Sequence, residues 1–242
     1  LLFQQGLPSG QRLTALRASA FALLGVDGYL QRFAGDSSAK RLRCTLAERL
    51  MEGFASQASS EWPWPEESIT YSNASLPHAL LVTGRGMGRD DMVETGLRAL
   101  RSLVALQMVE GRFVPIGNDG WYRRGGKRAR FDQQPIEADT MIGACIEAFR
   151  ITDDRNWLDR ATRSFRWFLG QNDLGVPLCD YATGECSDGL QPTGFNQNHG
   201  AESTLAWMHS LIQMQAIQAE GLLQGATGNL GTKQPGPAEV RA

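Results

Sequence analysis

A chain of 242 residues with 42% hydrophobic and 21% charged residues can bury a substantial core and has the balance of a folded globular protein. Its formal net charge of -2 gives no general pull toward nucleic acid or an anionic membrane, and no apolar run approaches the roughly 18 residues a bilayer span requires. The opening LLFQQGLPSG lacks the basic segment and apolar core of a signal peptide, so the expected compartment is the cytoplasm. It also lacks an initial Met, which fits a piece of a longer chain.

Helical periodicity dominates from Arg12 onward. Leu13, Leu16, Ala20, Leu23, Leu24 and Leu30 fall near one stripe and predict a helix over 12–33. The segment GDSSAK stops it and starts a second helix that runs to about Ser56 on Leu42, Leu46, Leu50 and Phe54. A Trp- and Pro-rich connection, SSEWPWPEESITYSN, leads to a third helix from about Ala74 to Val82, which the glycines of TGRGMGRDD are expected to end. A fourth helix, about Asp91 to Val109, carries Leu97, Leu100, Val104 and Met108. After the long connection EGRFVPIGNDGWYRRGGKRARFDQQP come a fifth helix (Ile136–Ile151) and a sixth (Asn156–Gly170), separated only by TDDR. A third long connection, NDLGVPLCDYATGECSDGLQPTGFNQNHG, precedes a seventh helix, AESTLAWMHSLIQMQAIQAE. The Gly/Pro/Gln-rich remainder, 221–242, reads as a disordered tail.

Short turns therefore alternate with long loops, and each long loop ends at an Ala-rich helix starting near Asn73, Gln134 or Gly200, 61 and 66 residues apart. That is a divergent repeat of αα-hairpins. A single hairpin cannot bury its own apolar face, so the units must stack. Stacking puts every long loop at one end, where residues distant in sequence share a cleft. The expected fold is all-α, one helical domain over 1–220.

Several motifs carry less than they first offer. The GRGMG run has no strand before it and no Lys-Ser/Thr after it, so it reads as loop closure and not as a phosphate cradle. Cys145 lies in an apolar helical run and reads as a buried thiol. Cys179 and Cys186 are open to ligation or a disulfide, but there is no CxxC pair and only three histidines, so neither metal nor cofactor is expected. Asn73-Ala74-Ser75 matches a glycosylation sequon but lacks a secretory signal beside it. The basic run RRGGKRAR has no interleaved aromatics, and reads as a flexible loop or a clamp for an anionic group.

The loop end is rich in aromatics, amides and carboxylates, the mixture a sugar needs, because C–H faces stack on rings while hydroxyls take hydrogen bonds. Trp62, Trp64, Trp121 and Tyr122 are candidate stacking platforms; Asn73, Arg124, Gln133, Gln134, Asn196, Asn198 and His199 are candidate hydroxyl ligands. Glycoside cleavage adds a carboxylate pair, about 5–5.5 Å apart for retention and wider for inversion. The candidates are Glu66, Glu67, Asp132, Glu137 and Glu202. Four of the five have a plainer reading: solvated loop charge for Glu66 and Glu67, and favourable placement in a helix's first turn for Glu137 and Glu202. Asp132, between apolar Phe131 and two amides, reads as a partly buried carboxylate. Asp139 stands off the face of Glu137, so one of the two is expected to point to solvent. His78 and His209 lie inside helical runs and read as satisfied structural groups. His199, at a loop-to-helix junction, is the candidate base for an epimerase or isomerase variant.

The segments EWPWPEE, YSNASLPHALL, PIGNDGWYRRGGKRARFDQQPIEA, WFLGQNDLGVPL and NQNHGAESTLAW together resemble the C-terminal helical module of a group of bacterial proteins. Those proteins carry a retaining, family 4-type glycosyltransferase of GT-B fold ahead of the module. The resemblance runs from about Leu13 to Gln215. It implies the (α/α)6 toroid of six-hairpin glycosidases, of which this chain would hold about three and a half of six roughly 60-residue units, with upstream hairpins or a partial toroid as the alternatives. It also implies a glycan as ligand and a glycosyltransferase domain as partner, with the transferase chemistry outside this chain. It assigns no catalytic residue. Fold analogy alone gives no activity. The expected function is therefore glycan binding or hydrolysis in the loop-face cleft, with a non-catalytic binding or scaffolding accessory domain as the alternative.

Overall fold

The computed structural model describes residues 2–223. Among these the chain is helical, with eight helices: α1 (Leu2–Gly10), α2 (Leu16–Arg32), α3 (Ser37–Gln57), α4 (Ser75–Met87), α5 (Asp90–Gln107), α6 (Pro135–Thr152), α7 (Asn156–Phe168) and α8 (Ala201–Ala219). Six two-residue strands, β1 (Ser68–Ile69), β2 (Met108–Val109), β3 (Arg112–Phe113), β4 (Tyr122–Arg123), β5 (Leu190–Gln191) and β6 (Gly194–Phe195), lie in the loops. No helix among the described residues is long and apolar enough to cross a membrane.

Local chemistry sets the helix boundaries. Asp36 caps α3, its carboxylate accepting from the N–H groups of Ser38 (2.9 Å) and Ala39 (3.0 Å), which satisfies two orphan donors of the first turn. Pro135 opens α6, where its missing N–H costs nothing. Gly88, at φ 67°, ends α4 in the left-handed conformation, and Asp153 does the same for α6 at φ 54°.

The helices form two layers. α2 packs on α4, α4 on α6 and α6 on α8, while α3, α5 and α7 each fold back on the helix before them. The shared core lies between the layers and includes Leu23, Leu46, Leu50, Leu76, Leu80, Leu81, Met92 and Leu100, all without solvent exposure. Each such leucine contributes about 1.5–3 kcal/mol by leaving water. The turns of 33–36, 88–89 and 153–155 are short; the loops of 58–74, 108–134 and 169–200 are long. The long loops meet one another. β1 pairs antiparallel with β4, with Ser68 opposite Arg123 and Ile69 opposite Tyr122, and Gln133 forms a bridge with Leu190.

Three boundaries depart from the sequence reading. α1 is an additional helix, in a stretch whose Gly6, Pro8 and Gly10 gave no helical signal. α4 continues through Gly84 and Gly86 to Met87, so those glycines do not end it. At Gly84 a Cβ would lie 2.9 Å from Val93 Cγ2 and 3.0 Å from the Arg89 carbonyl, and the glycine serves close packing of α4 on α5. Residues 221–223 are ordered, with Leu222 and Leu223 packed on the core; the rest of the expected tail, from 224, lies outside the described residues. Cys145, Cys179 and Cys186 are buried free thiols. Cys179 and Cys186 oppose each other only through a backbone bridge, so the disulfide alternative does not hold.

Candidate functional site

A polar chain crosses the loop end from α2 to α6. Arg17, on α2, is held by the Glu66 carboxylate (2.6 Å), the Tyr71 carbonyl (2.6 Å) and the Asn73 side-chain oxygen (3.3 Å). Its guanidinium also lies 5.3 Å from the centre of the Tyr71 ring. Asn73 in turn donates its amide to Glu137 Oε2 (2.9 Å) and to the Thr70 carbonyl (2.9 Å). The backbone N–H of Ser72 donates to Glu137 Oε1 and that of Asn73 to Oε2 (3.3 Å). Glu137 is buried, and burial pushes its pKa up to about 7 against the opposing pull of the Asn73 and Ser72 donors and of Arg17. Both of its oxygens face the turn that opens α4, which makes it an anchor joining the first loop to α6. Asn73, fully buried, has no free amide for glycosylation.

The second loop folds on itself. Gly117 donates to the Ala129 carbonyl (3.1 Å), Asn118 to that of Asp132 (3.0 Å), and Ala129 to that of Trp121 (2.8 Å). Gly117 is required here, since a Cβ would sit 1.7 Å from the Phe131 carbonyl oxygen. The bend leaves Trp121 at φ 56° and Asp132 at φ 59°; with Ser72 at φ 46° and Glu110 at φ 50°, four of the five non-glycine residues at positive φ lie in the long loops. Such strain costs about 1–3 kcal/mol per residue and clusters at functional sites. Asp132 lines a cavity of about 440 Å³ with Asn118, Asp119, Phe131, Gln191 and Thr193. No residue donates a hydrogen bond to the Asp132 carboxylate among those described, and Glu137 is not on this wall. The two candidate carboxylates therefore face different surroundings.

Other candidates are committed to structure. Gln133 is fully buried; its amide donates to the Arg130 carbonyl (2.8 Å) and Asp173 (3.0 Å) and accepts from Trp167 Nε1 (2.8 Å), so it stitches loops together. Trp62 and Trp64 are buried as well: Trp62 donates its indole N–H to the Glu66 carbonyl (2.8 Å) and packs on Tyr122, and Trp64 packs edge-on to Phe54. Neither is a platform. Trp121 is half-buried and lies beside exposed Tyr71 at a ring separation of 6.5 Å. Three of the five basic side chains in the run are engaged: Arg124 reaches Ser59 (3.3 Å), Arg128 the Leu106 carbonyl, and Arg130 Asp173 (3.1 Å).

In the third loop, Asp188 accepts from the Gly200 N–H (2.7 Å) and from the Asn198 amide. Burial would raise its pKa, but donors from Ser203, Gly200 and Asn198 outweigh that and hold it low. It anchors Gly200, the N-cap residue of α8, from twelve positions upstream, a separation that leaves no local signal in the sequence. Asn196 accepts from the Asn198 N–H (2.9 Å), and His199 bonds Glu185 (3.2 Å). Glu67 and Glu202 are exposed, and Gln134 is half-buried at the start of α6. Asp139 does not point to solvent: it is held by His209 (2.9 Å), Ser210 (3.2 Å) and Gln213 (3.1 Å) of α8. Among the described residues no cluster of His, Cys, Asp and Glu is arranged to hold a metal ion. The chain matches no family model and no curated protein.

Proposed function

We propose that this chain is a glycan-binding domain, built as part of an (α/α) toroid, that holds an oligosaccharide in the loop-face cavity beside Asp132. The observation that carries the reading is an unpartnered carboxylate, in strained left-handed backbone, on the wall of a cavity that also presents two amides, a hydroxyl and a ring. A carboxylate with its acceptor capacity unused suits sugar hydroxyls, which donate in pairs. Phe131 offers a C–H stacking face, and the Trp121–Tyr71 pair lies on the same end. The four-helix sequence of inner contacts, with α3, α5 and α7 outside it, supports the toroid. The resemblance of the loop segments supports a bacterial, cytoplasmic setting beside a glycosyltransferase domain.

Hydrolysis is the second reading. Its supporting observation is that Asp119 shares the cavity wall with Asp132, which supplies a carboxylate pair different from the one expected. Glu137 is a poor acid or base here, since both oxygens are turned to backbone and amide donors.

The test is calorimetric titration with linear gluco-, manno- and xylo-oligosaccharides, with reducing ends measured in parallel. Asp132→Asn keeps the left-handed backbone, which Asn tolerates, and replaces a charged acceptor by a neutral one; binding is expected to weaken about tenfold. Release of reducing ends that Asp119→Asn abolishes selects hydrolysis. Binding unchanged by Asp132→Asn, or no binding to any member, overturns the site.

A further inference from the structure

A second cavity, of about 460 Å³, is lined only by residues of α2, α4, α6 and α8, away from the Asp132 wall. We propose that this inner groove is a separate binding site for a neutral polyhydroxylated molecule of monosaccharide size, held by His78 of α4 and Gln213 of α8.

The charged groups on and around the groove are matched within the protein. Arg85 pairs with Glu147 (2.6 Å), Arg43 with Asp27 (3.7 Å), His209 with Asp139 (2.9 Å) and Arg150 with Glu220 (3.3 Å). An ionic ligand would have to displace one of these partners. What remains unused is neutral. The His78 ring has no hydrogen-bond partner among the described residues, and Gln213 spends its NH2 on Asp139 (3.1 Å) while its carbonyl oxygen stays free. Burial, with the positive charges of His209 and Arg150 nearby, lowers the His78 pKa to about 4, so at neutral pH the ring offers one donor and one acceptor.

Gly143 brings these groups together. It sits mid-helix in α6, where glycine costs about 1 kcal/mol relative to alanine, and a Cβ there would lie 3.0 Å from both His78 Cε1 and Gln213 Oε1. The glycine thus makes the floor on which the two polar groups converge. Phe21, Leu24, Val82 and Ile146 complete the wall and supply the apolar face that a sugar's C–H groups need.

The chain has three histidines, so their imidazole NMR signals report on the site directly. Myo-inositol, D-glucose and D-mannose are the probes, with inorganic phosphate and acetate as ionic comparators. The expected result is that at least one neutral probe shifts the His78 and His209 signals and leaves His199 in place. His78→Phe keeps a ring of similar size without its nitrogens and is expected to weaken binding at least tenfold, as is Gly143→Ala; retention of the helical circular dichroism shows that the variants fold. Shifts produced by phosphate or acetate alone, binding unaffected by His78→Phe, or no shift with any neutral probe overturns the proposal. Asp132→Asn leaves these shifts intact, so failure of the loop-face reading and failure of this one are separate results.

Discussion

Replacing Glu137 by Gln should change how stability depends on pH. In the fold this carboxyl keeps its proton up to about pH 7, against an ordinary 4.5, chiefly because it is buried. Between those values the unfolded chain releases the proton and the folded one retains it, so ionisation favours unfolding. The sign is therefore a contribution that is complete below pH 4.5 and is lost as pH rises through 7. At about 1.4 kcal/mol per pH unit, the interval gives roughly 3 kcal/mol. Gln does not titrate, and it turns an NH2 toward the donors of Ser72 or Asn73, which costs about 1–3 kcal/mol. Other groups also act in this range: His78, neutral down to about 4, loses stability as pH falls from 6.5. Such terms cancel when the two proteins are subtracted. Urea unfolding of both, in steps from pH 4.5 to 8, should show the wild-type advantage shrinking by roughly 3 kcal/mol. A difference that stays constant across that range would refute the reasoning.

Three further outcomes are expected. A thiol reagent should label one cysteine per native chain and four in urea, since Cys44 is exposed while burial pushes Cys145, Cys179 and Cys186 up to about 12; rapid native labelling of a second thiol contradicts the burial. Arg17→Leu removes the partner of Glu66 and the support of the Tyr71 carbonyl, and should cost about 3 kcal/mol in thermal or urea unfolding. Gly117→Ala forces the Phe131 carbonyl away; it should destabilise by about 3 kcal/mol and expose Trp121 to fluorescence quenchers, whereas an unchanged melting curve would show that the loop is not closed there.

The helices were legible because their signal is local. Leu42, Leu46, Leu50 and Phe54 repeat at helical spacing and all are buried in α3. Gly84 misled because a glycine's role depends on what it packs against, here Val93 of the next helix. At the loop end, composition located the polar groups correctly but not their partners. Arg17 and Glu66 are 49 positions apart, and Ser72 and Glu137 are 65 apart, so which carboxylates are consumed by the fold could not be read from sequence. An indole signals either stacking or core, so the sequence offers Trp62 and Trp64 as platforms while expecting at least one to pack against the helix ends. Both are buried, and Trp64 packs on Phe54 of α3. His78 and His209 read from sequence as satisfied structural groups; His209 is held by Asp139, and only the side-by-side placement of α4, α6 and α8 puts both histidines on one wall.

The stitching of the three long loops has a consequence for binding. The β1–β4 pair and the Gln133–Leu190 bridge link segments that would each be mobile alone, so their ordering entropy is spent when the chain folds. A ligand at the proposed site beside Asp132 would then meet a rigid wall and lose less affinity to immobilising it. The same links make the loop end a single opening unit: amide exchange in 108–134 and 169–200 should slow and quicken together, because neither segment can leave without releasing the other.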